Sequence, residues 1–122
     1  GLIQTVKGNI PSCEGLRGLD HNFGSSVLAG GEGCMAAVSN VRPDLCVAWR
    51  DAMKARDFDG TMKYQQLFNR IMGVYGFSSP FMAAMKGLLV DAGIFASATV
   101  ASPYQEATSA QMFAVREFMR GF

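Results

Sequence analysis

The sequence predicts an α/β fold, a parallel sheet followed by a helical segment. Three observations carry that prediction. The apolar run of strand length at 34–39 lacks the alternation of a half-exposed sheet, as expected for a parallel strand covered on both faces, and a second buried strand reads at 2–7. The second half repeats its apolar residues at helical spacing. Strand-like segments and a short helix alternate in the first half, and helices follow one another in the second.

In LIQTVKGN, Leu2, Ile3 and Val6 read as a buried strand over 2–7, with Lys7 at its end. EGLRGL at 14–19 reads as a second short strand. HNFGSSVLA at 21–29 reads as a short helix closed by the glycines of Gly30-Gly31-Glu32-Gly33. CMAAVS at 34–39 reads as a buried parallel strand ended by Asn40. Pro43 opens a helix in its first turn, where a missing N–H costs nothing, and Leu45, Ala48, Trp49, Ala52 and Met53 form its apolar stripe. A helix over Asp59–Met72 follows, with Leu67, Ile71 and Met72 inward. Ser79 as N-cap and Pro80 at the first position start another, which stops at Gly93. Residues 95–107 read as a loop. The last helix begins near Thr108 or Ser109 and carries Met112, Val115, Phe118 and Met119. Parallel neighbours at 2–7 and 14–19 would need a crossover of at least about 10–12 residues, and GNIPSCE is too short for one. The spacing therefore predicts a missing stretch near Ser12–Cys13.

Composition narrows the function. The 122 residues suffice for one small domain, and 49% of them are apolar, enough for a core. The 11 Lys and Arg are scattered against 10 Asp and Glu, which argues against a nucleic-acid partner. No apolar run approaches the ~18 residues of a membrane helix, and the N-terminus has no signal-peptide pattern. Cys13, Cys34 and Cys46 are odd in number, widely spaced and without a CxxC pair. Free thiols in a reducing, cytoplasmic compartment are expected rather than a disulfide framework or zinc site. His21 is the only histidine, too little for a metal cluster.

Several residues admit two readings. Lys7 is either a solvated residue after a strand or an amine nucleophile. Desolvation at a strand's C-terminal end would lower its pKa and free it to attack a carbonyl. Gly30–Gly33 is either a tight turn or a phosphate cradle, although it lacks the GxGxxG and GK[ST] patterns. His21, beside Asp20, is either a general acid or base or the first residue of a helix.

The run from Gly18 to Ile71 resembles the dihydrodipicolinate synthase and N-acetylneuraminate lyase family. The shared pattern is Gly18, then Gly30-Gly31-x-Gly33, the strand CMAAVS, Asn40 and Pro43, the link ARDFDG at 55–60, and farther on Pro80, Lys86, Gly93 and Ser102-Pro103. The resemblance covers residues 18–122. It implies the C-terminal part of a (β/α)8 TIM barrel, about strands six to eight, over residues 1–56, and a helical extension over 57–122. It implies an enzyme that forms a Schiff base with pyruvate or a related 2-keto acid and makes or breaks a carbon–carbon bond with an aldehyde. A dehydratase of a 2-keto-3-deoxy sugar acid using the same amine is the close alternative, and a non-catalytic helical oligomerisation module the distant one. By resemblance VKGN at 6–9 places the imine on Lys7, although Gly8 stands where the family usually has Asp. Gly18 and Met35 would line the substrate pocket. The same resemblance implies no metal and no cofactor beyond the lysine imine, a dimer or tetramer, and a missing N-terminal part of the barrel. Residues 1–122 alone are expected to be inactive.

Overall fold

The structure is a computed structural model. It describes residues 2–10 and 14–122, with the backbone only at Leu2, Ile3, Lys7 and Arg17. The chain divides into two compact units, 1–68 and 69–122, with the division inside the helix Phe58–Ile71.

The first unit opens with a helix, α1 (Leu2–Asn9), where the sequence suggested a strand over 2–7. Helical bonding continues to its end: Ile10 N–H donates to Val6 O at 2.7 Å, and Asn9 Nδ2 donates to Thr5 O at 2.8 Å. Leu2, Ile3 and Val6 are spaced by one and by three, with Val6 four after Leu2, which suits a helix face as well as a buried strand. Over so short a run periodicity does not separate the two. The correction removes the crossover problem, because a helix-to-strand connection needs only a few residues. The expected break near Ser12–Cys13 falls outside the described residues.

Two strands follow, β1 (Leu16–Gly18) and β2 (Gly33–Met35). They are parallel, with Leu16 opposite Gly33, Arg17 opposite Cys34 and Gly18 opposite Met35. A 3-10 turn at Asp20–Asn22 and the helix α2 (Phe23–Leu28) connect them, making one βαβ unit. Below the sheet, Gly15 N–H donates to the Glu32 carboxylate at 2.6 Å, and Glu32 N–H donates to Gly15 O at 3.0 Å. β2 is shorter than the run CMAAVS and is not covered on both faces. Met35 is 75% exposed, and the chain enters the short helix α3 (Val38–Val41) three residues later.

Helix α4 (Pro43–Lys54) has proline at its first position, as expected. Its Trp49 is fully buried, edge-on to Phe23 of α2 at 5.3 Å and stacked at 4.6 Å on Phe68 of α5 (Phe58–Ile71). Close approach of α2 to Trp49 requires glycine at position 24. A Cβ there would lie 2.9 Å from Trp49 Cζ2 and from Gln65 Oε1. Val38, Trp49 and Phe68 form the centre of this unit.

The second unit packs Ile71 and Val74 with α6 (Phe81–Asp91) and α7 (Ser109–Met119), burying Ala83, Ala84, Met85, Leu89, Met112 and Val115. The start of α6 departs from expectation. Pro80 is its N-cap, and Ser78 supplies the capping hydroxyl, accepting from Ala84 N–H at 3.0 Å. Its end follows expectation. Gly93 has φ +71°, Gly93 N–H reaches Val90 O and Ile94 N–H reaches Leu89 O, the two bonds of a Schellman motif. Thr108 caps α7 in a reciprocal box with Gln111. Arg116 of α7 grips Asp91 of α6 through two bonds of 2.7 and 2.8 Å.

In the full-length protein Trp49→Ala is expected to cost about 3–5 kcal/mol, by loss of buried area and creation of a cavity. Thr108→Ala should cost about 1 kcal/mol. Urea midpoints report both, and equal small shifts would show that Trp49 is not the packing centre.

Candidate active site

β1 and β2 are parallel, so their C-terminal ends lie together, and Gly18 and Met35 end them as partners in register. Side chains alternate along a strand. Leu16 and Gly18 therefore share a face with Gly33 and Met35, while Cys34 takes the other. The first face is open: Leu16 is 56% exposed and Met35 75%. The second face is covered by helices. There Cys34 joins Asp20, Phe23, Cys46, Trp49 and Phe68 around a cavity of about 180 Å³.

The chain leaves β1 under strain. Leu19 has φ 64° and ψ 112°, a region that costs a non-glycine residue about 1–3 kcal/mol. Its carbonyl accepts from Asn22 N–H at 3.0 Å and from the Cys34 thiol at 3.7 Å. The next residue, Asp20, is 1% exposed, and its Oδ1 accepts from Val38 N–H at 2.8 Å. That bond ties the end of β1 to the first residue of α3, just beyond β2.

Burial raises the Cys34 thiol pKa, and the Asp20 carboxylate raises it further. The same causes, burial first and then Asp20, push Cys46 up to about 11. Both thiols are therefore protonated at neutral pH, and neither is a prepared nucleophile. Among the described residues no three His, Cys, Asp or Glu side chains gather as a metal site.

The other sequence candidates separate. Lys7 lies in α1, not at a strand end, and its side chain is outside the described atoms. Its assignment as the imine lysine rested on a strand over 2–7 and on the likeness of VKGN to the family's lysine site, and the first of these footings is corrected, since Leu2–Asn9 is a helix. His21 lies in the 3-10 turn; its carbonyl accepts from Gln65 Nε2 at 2.8 Å. Its Nδ1 is buried without a hydrogen-bond partner among the described residues, which leaves that nitrogen no path to a substrate. The phosphate reading of Gly30–Gly33 fails on its donors. The N–H groups of Gly30, Gly31 and Glu32 go to Val27 O, Ser26 O and Gly15 O, and the Glu32 carboxylate adds negative charge. Leu19 was not singled out from sequence, because nothing local announces a leucine at positive φ. Asp20 was noticed only as a neighbour of His21.

These features define a parallel βα segment with a helical extension, a kind of fold whose sites form at the C-terminal ends of the strands. Comparison with known proteins makes the class particular. The profile of the Dihydrodipicolinate synthetase family matches residues 2–120, and the chain belongs to that family. It is 33% identical over 118 residues to the putative 2-dehydro-3-deoxy-D-gluconate aldolase YagE of Escherichia coli (strain K12), covering 91% of this chain and 38% of that protein. It is 32% identical over 98 residues to a 4-hydroxy-tetrahydrodipicolinate synthase of Acidiphilium cryptum (strain JF-5), covering 80% of this chain and 34% of that one. The crystal structure of YagE from E. coli K12 in complex with pyruvate superposes with a TM-score of 0.90 at 26% identity, over 98% of this chain and 40% of that chain. Dihydrodipicolinate synthase from Bacteroides thetaiotaomicron shares the fold, with a TM-score of 0.86 at 22% identity, over 98% of this chain and 41% of that one. The chain thus spans about two fifths of the length of these relatives. The likeness is consistent with a partial barrel, with two described strands rather than three.

Because both thiols are neutral when protonated, their raised pKa means the native state holds these protons above the ordinary thiol value of 9.0. That stability is complete below pH 9 and is lost as pH rises toward about 11. The urea midpoint of the wild type is expected to fall across this window more steeply than that of Cys46→Ala. Parallel curves would show that Cys46 does not titrate in the native state.

Proposed function

We propose that this chain is the C-terminal part of a Schiff-base-forming lyase that acts on pyruvate or a related 2-keto acid, with β1 and β2 as the last two strands of its barrel. The observation that carries this reading is the pairing of Gly18 with Met35 at the C-terminal ends of parallel strands, in a chain of this family. There the backbone of Gly18 and the exposed Met35 would line one side of the pocket.

In the reaction a neutral lysine amine attacks the keto carbon, and the carbinolamine loses water to give an imine. The protonated imine accepts the electron pair released when a proton, or an aldehyde, leaves the adjacent carbon. The resulting enamine attacks an incoming aldehyde in the synthetic direction, and water hydrolyses the imine to free the product. The imine supplies the electron sink, so the steps call for no further cofactor. The relatives named as an aldolase and a synthase favour carbon–carbon chemistry over dehydration of a sugar acid.

The attacking lysine needs a strand end. The described strands end at Gly18 and Met35, and Lys7 belongs to a helix. We therefore assign the amine to the part of the barrel outside residues 1–122. The test is borohydride trapping of the full-length protein with pyruvate, followed by peptide mapping. One reduced pyruvyl adduct outside this segment, retained in Lys7→Ala, is expected. An adduct on Lys7 would overturn the assignment but keep the imine. No adduct on any lysine would overturn the function.

A further inference from the structure

Two thiols face one cavity that the proposed lyase reaction does not use. Cys34 stands on the helix-covered face of β2 and Cys46 on α4, and both line the cavity of about 180 Å³ beside Phe23, Trp49 and Phe68. Each is half-buried and outside any disulfide. The Cys34 thiol is held at the wall by Leu19 O, at 3.7 Å. The two sulfurs also lie near enough to interact: after burial and Asp20, a charge on Cys34 raises the Cys46 pKa further. A strand and a helix thus bring a pair of soft ligands to one enclosed space.

What the pair can hold follows from its number and its surroundings. Thiolates select Cu(I), zinc and iron–sulfur clusters. Zinc and the clusters take four protein ligands in closed sites. Among the described residues no three His, Cys, Asp or Glu side chains are placed to hold an ion together. Asp20 lines the same cavity, but its Oδ1 already accepts from Val38 N–H. The aromatic walls supply no ligand. Two sulfurs alone suit a closed-shell ion that binds two ligands in line, and Cu(I) is that ion among the three. Its single charge is also less costly to enclose among apolar groups than a divalent one.

We propose that Cys34 and Cys46 form a two-coordinate site for a cuprous ion, on the helix side of the sheet. On binding, Cu(I) joins both sulfurs, two S–H bonds break, and two protons leave to solvent. No atom changes oxidation state. The bis-thiolate product carries one net negative charge near the Asp20 carboxylate, so it forms reluctantly while the thiols hold their protons. Two protons leave for each ion, so the apparent affinity should rise by up to about 100-fold per pH unit below the thiol pKa values. The site is independent of the lyase reading.

The experiment titrates Cu(I), without oxygen and against a competing chelator, into the full-length wild type and its variants. Native mass spectrometry gives the stoichiometry, and X-ray absorption counts the sulfurs around the ion. Cys34 and Cys46 are each replaced by alanine and by serine, and the variant with the wild-type Tm is the one read, which separates loss of a ligand from loss of the fold. Cys13→Ala is the control. The wild type should capture one ion between two sulfurs, more tightly as pH rises. Removing either Cys34 or Cys46 should abolish capture and leave imine trapping with pyruvate unchanged, while Cys13→Ala should still capture the ion. Undiminished capture in the folded Cys34 and Cys46 variants, capture lost in Cys13→Ala, three or four sulfurs around the ion, or an affinity indifferent to pH would each overturn the site. Absence of trapping in a wild type that captures the ion would overturn the lyase reading and spare the site.

Discussion

The bond between the Asp20 carboxylate and Val38 N–H, 2.8 Å long and buried, is the constraint on which the first unit turns. A carboxylate out of water is costly unless hydrogen bonds replace its hydration. Meeting that need fixes the end of β1 against the start of α3, and so sets where both strands stop. The same constraint bears on what lies beside it. Leu19 is bent into positive φ immediately before Asp20. The thiols of Cys34 and Cys46 feel the carboxylate's charge and keep their protons. One interaction thus shapes the mouth of the sheet and quiets the chemistry behind it.

Elements with a chemical stop or start were legible in the sequence. Pro43, Gly93 and the Thr108 box mark helix ends through a missing donor, a left-handed residue and a reciprocal cap, and each is local. The alternation of the sheet's faces was not legible. CMAAVS reads as continuously apolar whether it is buried on both faces or, as here, carries an exposed Met35 at its edge. The first helix was misread for a related reason. Leu2, Ile3 and Val6 fit a helix face and a strand buried on both faces alike, and eight residues are too few to choose between them. That reading supplied one of the two grounds for a catalytic role on Lys7, the other being the likeness of VKGN to the family's lysine site. The family likeness was sound, but the register within it depended on a secondary-structure assignment that six residues could not support.

The neighbouring strand ends at Gly18 and Met35 were legible, and the strain beside them was not. Gly18 and Met35 could be placed because they belong to a pattern extending over many residues. Leu19 could not, because its conformation comes from Asp20 reaching Val38 and from Asn22 and Cys34 meeting its carbonyl. These are interactions across intervals of 3 to 18 residues, and no local propensity encodes them. Sequence alone would put glycine at such a position.

The two faces of the sheet have unequal needs, and that inequality connects fold to function. The helix side is complete within this unit: Trp49 lies between Phe23 and Phe68, and Cys34 and Cys46 line the small cavity beside them. The other side leaves Leu16 and Met35 largely in the open, each forgoing much of the ~1.5–3 kcal/mol that full burial of such a side chain brings. Two strands of three residues cannot stand alone against that cost. Further strands closing over this face would bury Leu16 at the barrel's centre. They would leave the strand ends, with Gly18, Leu19 and Met35, at its mouth. The face that is unfavourable in isolation is therefore the face that the proposed barrel would close over, its lower part for packing and its upper rim for the proposed keto-acid site.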